Sequence, residues 1–91
     1  MGEARREVTI VNKRGLHARA SAKFVAAVAA MEGSDVRVSK DGGSAAGGSI
    51  LGLMMLGAAK GDAVELSVSG TSAEERLQQL VAMIEDGFGE D

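Results

Sequence analysis

Histidine 17 is the only histidine in the chain, and it stands in Gly15-Leu16-His17-Ala18-Arg19. The residues before it, Glu7-Val8-Thr9-Ile10-Val11-Asn12, read as a strand, and those after it as an alanine-rich helix. His17 therefore falls on the first residues of a helix. A helix N-terminus carries unpaired N–H groups and a partial positive charge, which suit an anion such as phosphate. The same positive end disfavours an imidazolium and favours a neutral, nucleophilic ring. Gly15 permits a tight turn, Ala18 and Ala20 leave the neighbourhood open, and Arg19 is placed to clamp phosphoryl oxygens. No carboxylate is expected beside the ring to compete for that arginine. Phosphoryl transfer needs positioning and charge stabilisation more than covalent help, so a small domain presenting one nucleophile can perform it. Position alone fits equally a histidine that only caps the helix.

A second candidate is Ser49, in Gly48-Ser49-Ile50-Leu51-Gly52-Leu53-Met54-Met55-Leu56. A serine there is an N-cap for a short helix from Ile50 to Leu56. A phosphate on it would also sit well on that helix terminus. Ile50, Leu51, Met54 and Met55 exceed what one buried stripe needs. About half are expected in the core and the rest on the surface, where flexible methionine adapts to several partners. The run Gly42 to Ser49 has glycine where a P-loop needs lysine, so it reads as a hairpin followed by a cap rather than a nucleotide site.

The elements that must position these residues follow from patterning. A helix is expected from Ala18 to Met31, with Ala22, Val25, Val28 and Ala29 as its apolar stripe and Gly33 as its stop. Asp35-Val36-Arg37-Val38-Ser39-Lys40 alternates as a strand. Asp41-Gly42-Gly43 signals a hairpin into a short strand from Ser44 to Gly47. Ala63 to Ser69 is a further strand. Thr71-Ser72-Ala73-Glu74-Glu75 offers a capping box for a last helix with Leu77, Leu80, Val81 and Ile84 inward. Gly87 to Asp91 reads as a short acidic tail. The order is β-α-β-β-α-β-α. A right-handed crossover makes the first two strands parallel, with the last strand between them and antiparallel to both. The fold class is α/β (α+β), a two-layer open-faced sandwich: a four-stranded antiparallel sheet with three helices on one face. Its open face should carry Thr9, Arg37, Ser39, Glu65, Ser67 and Ser69.

Composition narrows the function classes. The 91 residues (1–91) make one small domain whose core is aliphatic, since there are two phenylalanines and no other aromatic residue. With no cysteine and one histidine, no metal site is expected, and no cofactor is called for. A net charge of −3 with so few aromatics argues against nucleic-acid binding. There is no signal-like apolar segment and no run long enough to span a bilayer, so a cytoplasmic chain that does not bind membranes is expected.

Gly15-Leu16-His17-Ala18-Arg19 resembles the phosphohistidine signature of the HPr family, the phosphocarriers of the bacterial phosphoenolpyruvate-dependent phosphotransferase system. Gly48 to Gly61 is similar to that family's regulatory-serine segment, and the resemblance extends over nearly the whole chain. It implies that a monomeric carrier accepts a phosphoryl group on His17 Nδ1 from Enzyme I, with Arg19 as phosphate partner. The group would then pass to an EIIA-type protein. It also implies an HPr kinase/phosphorylase acting on Ser49, and a docking patch of Ile50, Leu51 and Met54 flanked by Ala22 and Ala26. Ala20 departs from the family, which commonly has proline there; a changed transfer rate is the implied effect. The ending Gly87-Phe88-Gly89-Glu90-Asp91 and the Met-rich helix are similar to the nitrogen-related regulatory branch. Two other classes are a binding module that signals by phosphorylation state and a small acyl-phosphate hydrolase. The second lacks an arginine-bearing glycine loop.

Overall fold

The computed structural model describes residues 2–90. Four strands form one sheet in the order β1-β4-β2-β3, every neighbouring pair antiparallel. They are β1 (Gly2–Thr9), β2 (Ser34–Lys40), β3 (Gly43–Ala46) and β4 (Ala63–Gly70). Three helices, α1 (Ala18–Ala29), α2 (Ile50–Met55) and α3 (Ala73–Glu85), join them in the expected β-α-β-β-α-β-α order.

Strand alternation divides the sheet. Val8, Val36, Val38, Val64, Leu66 and Val68 point to the helices and are buried. Thr9, Arg37, Ser39, Glu65, Ser67 and Ser69 line the open face, as the alternation predicts, joined by Glu3, Arg5 and Glu7. Leu77, Leu80, Val81 and Ile84 of α3 cover the inner face of β1 and β4. Asp41 and Gly42 both take positive φ (49° and 84°), the backbone of a two-residue type I′ hairpin.

Four local expectations are corrected. β1 begins at Gly2 and ends at Thr9 rather than spanning Glu7 to Asn12, because its charged first half pairs with the whole of β4 up to Gly70. The buried stripe of α1 is Ala20, Ser21 and Phe24, while Ala22 and Ala29 face out. An alanine-rich helix is apolar at most positions, and the bulk of Phe24 sets which side faces inward. The capping box before α3 does not form: Ser72 takes a left-handed φ of 52°, and its side chain caps nothing. Last, Gly87–Gly89, expected as part of a short acidic tail, is a 3₁₀ turn with Phe88 only 3% exposed; Asp91 lies outside the described residues.

One packing contact fixes the loop between β1 and α1. Gly15 has φ +64°, and a Cβ there would lie 2.3 Å from the Ala58 carbonyl oxygen, just past α2. The same oxygen accepts the Leu16 N–H at 3.0 Å. Gly15→Ala should therefore cost more than about 1 kcal/mol and displace the loop. Urea unfolding of the two proteins measures it, and an unchanged midpoint would refute this account of the turn.

Candidate functional site

The loop pinned by Gly15 delivers His17 to the N-cap of α1. His17 has extended backbone (φ −77°, ψ −179°), and its carbonyl accepts the Ser21 N–H at 2.9 Å, the first bond of the helix. Its ring Nδ1 accepts the Arg19 backbone N–H at 3.3 Å. A backbone N–H can only donate, so Nδ1 carries a lone pair and the ring proton sits on Nε2. Nε2 in turn donates to Glu90 Oε2 at 2.7 Å.

Glu90 is the residue that the sequence reading missed. No carboxylate was expected beside His17, yet the turn after α3 brings one into direct contact with it. Phe88 is buried under the core edge, and Lys23 Nζ on α1 donates to its carbonyl at 2.8 Å. Asn12 Nδ2 donates both to the Gly15 carbonyl at 2.8 Å and to Glu90 Oε1 at 3.0 Å. Asn12 thus ties the turn between β1 and α1 to the Glu90 carboxylate. The cost shows in the same residue: its Oδ1 is buried with no partner among the described residues. One signal for this was in the chain. A lone phenylalanine between two glycines in a polar ending has reason to bury, and it carries Glu90 with it.

The electrostatics follow. The Asn12 amide holds the Glu90 carboxyl below the usual carboxylate range, burial opposes this, and the hydrogen bond from His17 and the Lys23 ammonium add to the lowering. Lys13, Arg14, Arg19 and Lys23 line the same shallow depression of about 370 Å³ with His17, Gly89 and Glu90. In a chain of net charge −3, this is a concentration of cations at one spot. The arrangement presents a lone pair on Nδ1 at a helix N-terminus, ringed by positive charge. It suits attack on phosphorus and retention of a phosphoryl dianion.

The other expected site residues lie on the neighbouring helix and on α1. Ser49 caps α2, its Oγ accepting the Gly52 N–H at 2.9 Å. Core packing takes none of Ile50, Leu51, Met54 and Met55, contrary to the expected half: all four are exposed, Leu51 at 68% and Met55 at 77%. Leu53 alone in α2 is buried, because a six-residue helix packed by one turn has room for one inward side chain. Ala22 and Ala26 are exposed on α1, against which α2 packs. Ala20 is fully buried in the first turn of α1.

Comparison with known proteins gives one answer. A family model described as "PTS HPr component phosphorylation site" matches residues 4–86. The chain is 43% identical over 86 residues to a phosphocarrier protein HPr of Neisseria meningitidis, covering 94% of this chain and 96% of that one. It is 37% identical over 87 residues to the phosphocarrier protein NPr of Escherichia coli, covering 92% and 93%. The solved structure of an HPr from Thermoanaerobacter tengcongensis superposes with a TM-score of 0.88 at 41% identity, over 100% of this chain and 99% of that chain.

Two outcomes test the site's energetics. Ser49→Ala removes the α2 cap and should cost about 1 kcal/mol in urea unfolding. For Glu90, a carboxyl lowered in the native state contributes stability that is present above its unfolded value. That contribution disappears as pH falls through the lowered native value. Glu90→Gln should therefore shift the urea midpoint near neutral pH, and the gap from wild type should close in acid. A gap independent of pH would contradict the pairing.

Proposed function

Because the chain belongs to the HPr family of phosphotransferase-system phosphocarriers, we propose that His17 Nδ1 is the atom that carries the phosphoryl group. The observation behind this reading is the state of the ring: Nδ1 keeps its lone pair, engaged only by the long contact from the Arg19 N–H at the start of α1, while Nε2 keeps the proton against Glu90.

The step is an in-line displacement. The Nδ1 lone pair forms a bond to phosphorus, and the donor leaves with the electron pair of its own bond. Arg19 acts twice. Its backbone N–H, held to Nδ1 at a long 3.3 Å, is exchanged to a phosphoryl oxygen once Nδ1 is occupied. Its guanidinium, on the rim of the depression, pairs with the remaining oxygens. Gly15 keeps the loop in place, and Ala20, buried in the first turn where the family commonly has proline, leaves that turn without a pre-set backbone and changes the transfer rate.

Phospho-Enzyme I is the donor on this reading, and an EIIA-type protein the acceptor. The exposed Ile50, Leu51 and Met54, with Ala22 and Ala26, form the apolar surface on which both dock in turn. Ser49 is a regulatory phosphorylation site for an HPr kinase/phosphorylase, and its position at the base of that surface gives an added charge direct effect on docking. The chain acts as a monomeric unit over residues 1–91, in the cytoplasm; no described helix is long and apolar enough to cross a membrane. The Gly-Phe-Gly-Glu ending and the methionines of α2 favour the nitrogen-related regulatory branch. Capture of partners by phosphorylated and unphosphorylated protein decides between it and sugar uptake.

With Enzyme I and phosphoenolpyruvate, the wild type should gain one acid-labile phosphate per chain and His17→Ala none. Labelling of His17→Ala would end this reading. Arg19→Ala should slow transfer by roughly 10²-fold, the scale of losing one charged partner in a transition state. Leu51→Glu should leave the unfolding midpoint unchanged and raise the concentration of Enzyme I needed for half-maximal transfer. Ser49→Ala should leave His17 labelling intact and abolish labelling by the kinase.

A further inference from the structure

Resting on the reading of His17 as the phosphoryl acceptor, we propose that Glu90 is a positioning residue that keeps the proton on Nε2 throughout the cycle and balances the ring's positive charge while Nδ1 is phosphorylated. The balance of the step requires such a group. A neutral ring protonated at Nε2 attacks through Nδ1. The Nδ1–P bond forms, and the donor departs with its electron pair. The proton on Nε2 has not moved, so the product is an N-phosphoimidazolium. In the outward step the Nδ1–P bond breaks, its electron pair returns to Nδ1, and the ring is neutral again. The ring is thus cationic only while loaded.

The surroundings oppose that cation at every point but one. Lys13 and Arg14 from the loop, and Arg19 and Lys23 from α1, line the depression around the ring. They favour the phosphoryl dianion and penalise a positive ring. Glu90, from the turn after α3, is the one anion among the described residues lining it. It touches Nε2, the atom where the positive charge is held with its proton, at 2.7 Å. Both side chains are largely covered (18% and 16% exposed), so the attraction is less screened than a surface pair.

The carboxylate is held in that place by contacts unrelated to the ring. Phe88 anchors the turn in the core, Lys23 ties down its carbonyl, and Asn12 fixes the second carboxylate oxygen. Holding it has a cost: Phe88 takes a left-handed φ of 58°, and Asn12 Oδ1 is buried with no partner among the described residues. The arrangement fits a carboxylate whose placement matters in the loaded state.

The test shares a limiting amount of phosphoryl groups between equal amounts of wild type and Glu90→Gln, through a trace of Enzyme I. Glutamine still accepts the Nε2–H bond but has no charge. The groups should partition about 10:1 in favour of wild type, the scale of a charge-assisted over a neutral hydrogen bond. Glu90→Asp should recover part of the difference. By nitrogen-15 NMR of the loaded proteins, the Nε2–H resonance should exchange slowly with solvent in wild type and rapidly in Glu90→Gln. Equal partition with matching Nε2–H exchange overturns the proposal and leaves His17 as carrier. Failure of Enzyme I to load wild type on His17 overturns both.

Discussion

The ring of His17 is held from both sides by groups of opposite character, and the rest of the site depends on that. At Nδ1 a backbone N–H at the start of α1 demands a lone pair; at Nε2 a carboxylate demands a proton. Either contact alone would bias the tautomer, and together they leave one arrangement that satisfies both. The nitrogen with the lone pair is therefore the one facing the helix N-terminus, where aligned N–H groups and Arg19 suit an anion. Swapping the tautomer would point the lone pair at Glu90, where an incoming phosphate would be repelled.

Holding those two contacts at once is the task of the fold. The helix start comes from the β1–α1 loop, pinned where Gly15 and Leu16 meet Ala58 beyond α2. The carboxylate comes from the opposite end of the chain, carried by a turn that Phe88 anchors after α3. Asn12 connects the two, bonding the loop with one amide hydrogen and the carboxylate with the other. The antiparallel sheet is what permits this. With β4 between β1 and β2, α1 and α3 lie side by side over one face, and the chain leaving α3 runs out near the start of α1.

What the sequence made legible, and what it did not, follows from the range of each interaction. The I′ hairpin at Asp41-Gly42, the Ser49 cap and the stripe of Leu77, Leu80, Val81 and Ile84 are local, set by residues within one turn or one strand. They were readable for that reason, as was the strand order, which the right-handed crossover constrains. The placement of His17 and Arg19 at a helix start belongs to the same class. The Glu90 contact spans 73 positions, and no local pattern marks it. The phase of α1 was misread because alanine is apolar without being large, so only Phe24 carried information about which side is inward. The missing box at Ser72 has a similar origin: Thr71 donates its N–H to the Gly33 carbonyl, and that long-range bond commits the turn to a left-handed serine.

A carrier differs from an enzyme with a closed site in what it must leave uncovered. On the proposed reading its nucleophile meets two partners in succession, and the surface beside it then has to accept both and hold neither. α2, with six residues and one inward side chain, contributes little to the core and turns Ile50, Leu51, Met54 and Met55 to solvent, which suits that proposed task. In a larger helix those side chains would be drawn into packing. Short length, a glycine at position 52 against Ser49 and Ala45, and termination at Gly57 keep them available. The same reasoning explains why the ring is latched by a turn rather than by a helix or strand. Transfer requires the phosphoryl group to reach out of the depression, and a rigid wall at Nε2 would bury the site. A single carboxylate on a short anchored turn holds the proton on Nε2 and leaves Nδ1 facing only the Arg19 N–H.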